Sequence, residues 1–329
     1  VLCARFGIVA LVVLTVRTGD NATVSDAVKK IAINYGQLLA LGSAMPFPWP
    51  SQIRVLFTVY ATFSSGGSSV VIPDCELTWM NPANALYYKT LGKSVLPPLV
   101  PLLSLSAWSI AYACSSLIDI MSSCRRRTSP RESFKRRRKW TIFDNVIMTS
   151  VLLLFCLFPS LVKDTVELIA CINVGGIYYL KADLEEECFT GRHLVWLNVL
   201  FIPMLALYVL GLPLLTLIFL LRRKNRLGRP RYRFRYGILY RGYKKERLWW
   251  EPLLAVRKVT VATLSVTAQL VGPDRQAFII NYIVFLFMMV HLLGHPFVRT
   301  GKSSGLKMSL NMLEVFSLSA AFTTFLAGA

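Results

Sequence analysis

The sequence predicts an all-α membrane protein, a polytopic bundle of seven or eight transmembrane helices with one disulfide-closed external loop. Three observations predict it. Of 329 residues, 54% are hydrophobic and only 16% charged, and the apolar residues come in runs of about twenty, the length a helix needs to cross the hydrocarbon of a bilayer. The net charge of +20 is gathered beside those runs. Between the two basic clusters lies a loop of opposite balance, as alternation across a membrane leads one to expect.

The stretch 222–258, RRKNRLGRPRYRFRYGILYRGYKKERLWWEPLLAVRK, carries fourteen Lys/Arg against Glu246 and Glu251. A second cluster, 125–139, holds nine against Glu132, so the two account for 23 of the 37 basic residues. Basic residues beside spans are retained on the cytoplasmic side, so these clusters set the orientation. They also make anionic lipid, phosphoinositide included, the expected partner. The residues expected to bind it are Arg125, Arg126, Arg127, Arg136, Arg137 and Arg138, with Arg231, Arg233, Arg235, Arg241, Lys244 and Lys245. Tyr232, Phe234, Tyr236 and Tyr240, interleaved with the second set, suit a segment resting on headgroups. No recognition motif accompanies the charge, so nucleic acid is not an expected partner.

In chain order the expected spans are 1–16, 28–45, 95–118, 141–160, 194–221, 252–270, 276–294 and 308–329. The first is apolar from Val1 and ends at Arg17. With no initiating methionine, the chain reads as the C-terminal part of a longer protein. The second is marginal, since it carries Asn34 and Gln37. PFPWP at 46–50 stops it, because proline lacks the amide hydrogen a helix needs; Trp49 suits the interface there. Residues 51–63 read as a helix lying on the membrane, and SSGGSS at 64–69 as linker. The third span has Pro97, Pro98 and Pro101 near its outer end. The fourth leads to loop 161–193, which holds six acids against Lys163, Lys181 and Arg192. Pro203 and Pro213 in the fifth are tolerable where neighbouring groups satisfy the freed carbonyls. Trp249 and Trp250 mark the headgroup level before the sixth, which turns into the seventh through VGPDR. A short basic link with Arg299, Lys302 and Lys307 precedes the eighth. Segments 17–30, 123–140, 222–250 and 295–307 then lie inside, and 46–94, 161–193 and 271–275 outside.

Cys75, Cys171 and Cys188 fall outside, where disulfides persist. Cys171 and Cys188 bracket CINVGGIYYLKADLEEEC, in which Gly175-Gly176 reads as a tight turn feeding a short strand; Cys75 is the competing partner. Cys3, Cys114, Cys124 and Cys156 read as small buried hydrophobes. Glu251, Arg257, Thr260, Thr263 and Thr267 in the sixth span, with Asn311 and Glu314 in the last, form a candidate polar pathway. The alternative is close helix packing through small polar residues. Glu185, Glu186 and Glu187 lack the spacing of a cation loop, and His291 and His295 lack further ligands. No nucleophile elbow, phosphate loop or HExxH occurs. Neither catalytic residue, metal nor cofactor is expected, and the chain does not read as an enzyme.

Four segments, NYGQLLALGSAMPFPWP, CINVGGIYYLKADLEEEC, FRYGILYRGYKKERLWWEPLLAVRKV and NMLEVFSLS, occur in this order between about residues 31 and 325. Together they resemble the transient-receptor-potential-like polytopic membrane domain of algal and protist proteins whose ectodomains are cysteine-rich, ephrin-receptor-like repeats. The resemblance implies a plasma-membrane or ciliary-membrane protein with a large ectodomain upstream of Val1, and a channel-like or sensory role. The VGPDR link is too short for a pore helix and filter, which keeps a non-conducting anchor as the alternative. A lipid or small-molecule transporter is a third reading, although no internal repeat is visible. Self-association into a homo-oligomer stays open.

Overall fold

A computed structural model describes residues 23–43, 84–125, 141–267, 272–298 and 309–328, with positions 45, 47, 49–51, 53–55 and 57. The helices are α1 (Thr23–Gly42), α2 (Ala85–Arg125), α3 (Ile142–Glu167), α4 (Gly191–Arg222), α5 (Pro230–Tyr240), α6 (Trp250–Thr267), α7 (Pro273–Gly294) and α8 (Leu310–Gly328). Five of them, α2, α3, α4, α7 and α8, are long and apolar enough to cross a membrane. Helices α1 and α6 fall short on apolarity because each carries charges: Asp26, Lys29 and Lys30 in one, Glu251, Arg257 and Lys258 in the other. Length and apolarity therefore support five spans among the described residues, where seven or eight were expected. The expected span 1–16 lies outside the described residues. So do Cys75, the linker 64–69, and Arg126, Arg127, Arg136, Arg137 and Arg138; of Arg125 only the backbone is described.

Helices overrun the expected spans: α2 begins at Ala85 and α3 continues to Glu167. Hydropathy marks the edge of the hydrocarbon, whereas backbone hydrogen bonding carries a helix past it. In those extra turns Lys93 meets Asp164 at 2.6 Å. At its other end α3 starts on a capping box in which Thr141 and Asp144 satisfy each other's backbone amides.

Prolines do not end these helices. Pro98 frees the carbonyl of Ser94, four residues back, and Tyr208 of α4 donates its hydroxyl to that oxygen at 2.6 Å. Pro159 likewise frees Phe155, whose carbonyl accepts from Gln37 Nε2 of α1 at 3.1 Å. In α4 the accommodation is internal. Two π turns, Leu197–Phe201 and Leu205–Gly211, precede Pro203 and Pro213 and give each ring room in the widened ladder.

α3 is the axis of the bundle, with 67% of its spanning window buried against 17% for α2 and α4. Around it α1 and α6 sit inside, packed through Leu38, Val162, Val261 and Leu318. Outside, α2 presents Leu102, Leu103 and Ile110, α4 presents Leu207, Leu210 and Leu215, and α7 presents Phe278 and Leu293. Apolar exposure of that extent belongs to a surface that faces lipid.

The fold is not purely helical. Strands β1 (Cys171–Val174), β2 (Ile177–Leu180) and β3 (Asp183–Glu187) form an antiparallel sheet in the order β1-β2-β3. Gly175 and Gly176, both at positive φ, make the two-residue turn, and Asn173 Oδ1 accepts from the Gly176 amide. A disulfide joins Cys171 to Cys188, as the bracketed loop predicts. His193, fully buried, ties the sheet to the helices: its Nδ1 accepts from the Phe189 amide and its Nε2 donates to the Leu168 carbonyl.

Helix ends sort into two faces. On one, Arg231 and Arg235 of α5 meet Asp144, Arg241 meets Asp26, and Tyr243 bridges Phe297. On the other lie the sheet, the Lys93–Asp164 pair, the Lys181 ammonium on the Val266 carbonyl, and Gly42 against Phe325. This is the sorting expected from charge alone. Trp49 departs from expectation: it lies in the core between Phe47 and Phe57, not at an interface.

Candidate functional site

Near the basic face, the two charged helices bring their charges together. Lys30 of α1 lies 3.0 Å from Glu251 of α6, donates to the Leu239 carbonyl, and stands 4.0 Å over the Tyr243 ring. Tyr243 donates its hydroxyl to the same Glu251 oxygen at 3.1 Å. One turn and a half further along α6, Arg257 donates to Glu314 of α8 at 3.2 Å. Lys258, beside it, lies 4.3 Å from the centroid of the Phe155 ring. All five charged side chains are buried. Such groups are tolerated in a bundle only when paired, because the desolvation of each ion is repaid by the other and by hydrogen bonds.

The helical registers explain the meeting. Lys30, Asn34, Gln37 and Leu41 fall on one stripe of α1, and that polar stripe is turned inward. On α6, Glu251, Leu254, Arg257, Lys258 and Val261 are buried together. His291 of α7 fills the gap between Trp250 and Phe297 as a packed ring, not as a ligand. His295 ends that helix in the left-handed conformation and is exposed.

Of the expected polar pathway, Glu251, Arg257 and Glu314 come together. Two of the threonines use their hydroxyls within their own helix. Thr260 and Thr267 return their hydroxyls to the Val256 and Thr263 carbonyls of their own helix, which is packing chemistry. Asn311 acts elsewhere, clipping both the amide and the carbonyl of Phe297. The described contacts of this set are therefore two ion pairs and a clip.

The basic segment 229–247 is likewise more tied down than a free headgroup patch. Arg231 and Arg235 converge on Asp144 Oδ1 at 2.8 and 2.5 Å, and Arg241 pairs with Asp26. The Lys244 amide donates to Pro296. Arg233 is half-buried, and Lys245 is exposed. Tyr240 donates to the Leu227 carbonyl at 2.6 Å, and burial pushes its hydroxyl up to about 12, so it stays a donor at physiological pH. Lys30, Tyr243, Asp26 and Asp144 were missed as site residues. For Lys30 the signal was present in its spacing to Asn34 and Gln37, but the residue was read as the end of a polar link.

No metal-binding group of three or more His, Cys, Asp or Glu occurs among the described residues. Long apolar helices around a charged interior define a multi-helix membrane protein. The chain is similar, at 24% identity over 212 residues, to cysteine repeat modular protein A of Toxoplasma gondii. The match covers 60% of this chain and 7% of that protein, so the chain spans a small fraction of its relative's length. No family model matches, and no solved structure matches.

Proposed function

We propose that the chain is a non-conducting membrane anchor of seven or eight spans, the transient-receptor-potential-like arrangement, which holds a large cysteine-rich ectodomain and rests its basic face on anionic lipid. The count adds α1 and α6, whose Lys30, Glu251 and Arg257 are paired inside the bundle, to the five apolar helices, and takes 1–16 as the eighth. The observation that carries the reading is the pairing itself. Arg257–Glu314 and Lys30–Glu251 tie α1, α6 and α8 to one another inside the bundle. A bundle whose interior charges hold helices together is built to stay in one arrangement. The name of the far longer relative, a cysteine repeat modular protein, supports the ectodomain part of the proposal. The plasma or ciliary membrane is the proposed site.

Ion flux tests the anchor against the channel. The purified chain, shown to be folded and oriented in liposomes with anionic lipid, is expected to give no unitary currents. Reproducible currents that change in Glu314→Gln would overturn the anchor reading and put the pore beside α8.

A further inference from the structure

The buried charges do not balance. Lys30 has Glu251 and Arg257 has Glu314, whereas Lys258, 3% exposed, has the face of Phe155 and the more distant field of Glu251, with no carboxylate within ion-pair distance among the described residues. A cation taken out of water without a counter-ion is strongly disfavoured. Lys258 also stands on the wall of a cavity of about 140 Å³ between α3, α4, α5 and α6. Apart from Glu251, already matched by Lys30, and Thr216, the wall is apolar, with Leu154, Phe158 and Leu212 prominent.

Charge and wall narrow the ligand. Lys258 lies eight residues past Trp250, about 12 Å along the helix axis. One cation on an otherwise mostly apolar wall suits a singly charged head and a few methylenes. Beside the lining residues of α4, Leu214 and Leu215 are exposed on the lipid-facing side, so a tail has a short route from the bilayer. We propose that this cavity binds the carboxylate of a single-chain fatty acid, with its anion on Lys258 and its first methylenes against Phe158 and Leu212. The site stands apart from the choice between anchor and channel.

The test is binding of radiolabelled oleate to the full chain in nanodiscs of neutral phospholipid, with unlabelled oleate, methyl oleate and inorganic phosphate as competitors. Saturable binding displaced by oleate alone is expected. Lys258→Met should weaken it by about ten- to hundredfold, the loss typical of a charge-assisted contact, while Lys258→Arg retains it. Val151→Phe, which adds bulk to the cavity wall from α3 and keeps the cation, should abolish it. Equal competition by methyl oleate, or wild-type affinity in folded Lys258→Met, would overturn the proposal. Displacement by phosphate would overturn the fatty acid as ligand. Should Lys258→Met fail to fold, the ester comparison on the wild-type chain and Val151→Phe still decide.

Discussion

Arg257 and Glu314 meet inside the bundle with side chains each 3% exposed. At the basic face Arg231 meets Asp144 while itself 56% exposed. The chemistry of the two pairs is the same, guanidinium on carboxylate, and the separations are similar, 3.2 and 2.8 Å. Their consequences differ because of water. Removing one partner from the central pair leaves an ion that nothing solvates. Removing Arg231 leaves Asp144 with Arg235 and Thr141, and solvent at hand. Desolvation, not distance, decides what an ion pair is worth.

The largest effect expected from that contrast is in Glu314→Leu, which strands Arg257 and should cost about 3–5 kcal/mol in denaturant unfolding in mixed micelles. Adding Arg257→Met should recover most of the loss, since a buried pair replaced by apolar groups of similar size is often neutral. If the double variant stays as unstable as the single one, the central pair does more than cancel its own burial, and the contrast fails.

An intermediate case sharpens it. Gln37 is buried and uncharged, and it covers the carbonyl that Pro159 frees in α3. Gln37→Leu leaves that oxygen unsatisfied and should cost about 1–3 kcal/mol by the same unfolding measurement. A loss as large as that of Glu314→Leu would mean that charge is not what sets the centre apart.

The smallest effect belongs to Arg231→Ala. Its unfolding midpoint should stay where the wild type's is, at low and at high salt, because Arg235 keeps the contact to Asp144. Its binding to phosphoinositide vesicles should weaken together with Arg233→Ala, read by co-sedimentation. Unchanged vesicle binding in that pair would remove the lipid role from α5.

Most of the fold was legible in the sequence. The apolar runs located α2, α3, α4, α7 and α8, and the basic segment 222–258 marked the face on which α5 packs; the cluster 125–139 lies outside the described residues apart from the Arg125 backbone. Cys171 and Cys188 marked the closed loop. Legibility failed where a residue's role depends on its neighbours. Trp49 looks like an interfacial aromatic and is a core one. Thr260 and Thr267 look like a lining and bond to their own helix. Pro98 and Pro159 each free a carbonyl, and Tyr208 and Gln37, residues far away in the chain, cover those oxygens.

Sequence by itself determined where the chain is apolar enough for lipid and which segments are too basic to cross, because transfer free energy and charge are local properties of a short window. Tertiary structure alone decided that Lys30 meets Glu251, that Arg257 meets Glu314 and that Lys258 is left over beside a cavity. Those outcomes depend on how each helix is rotated and on which helix stands beside it. The packing of a whole bundle settles that, since a buried charge costs least where another chain segment brings it a partner.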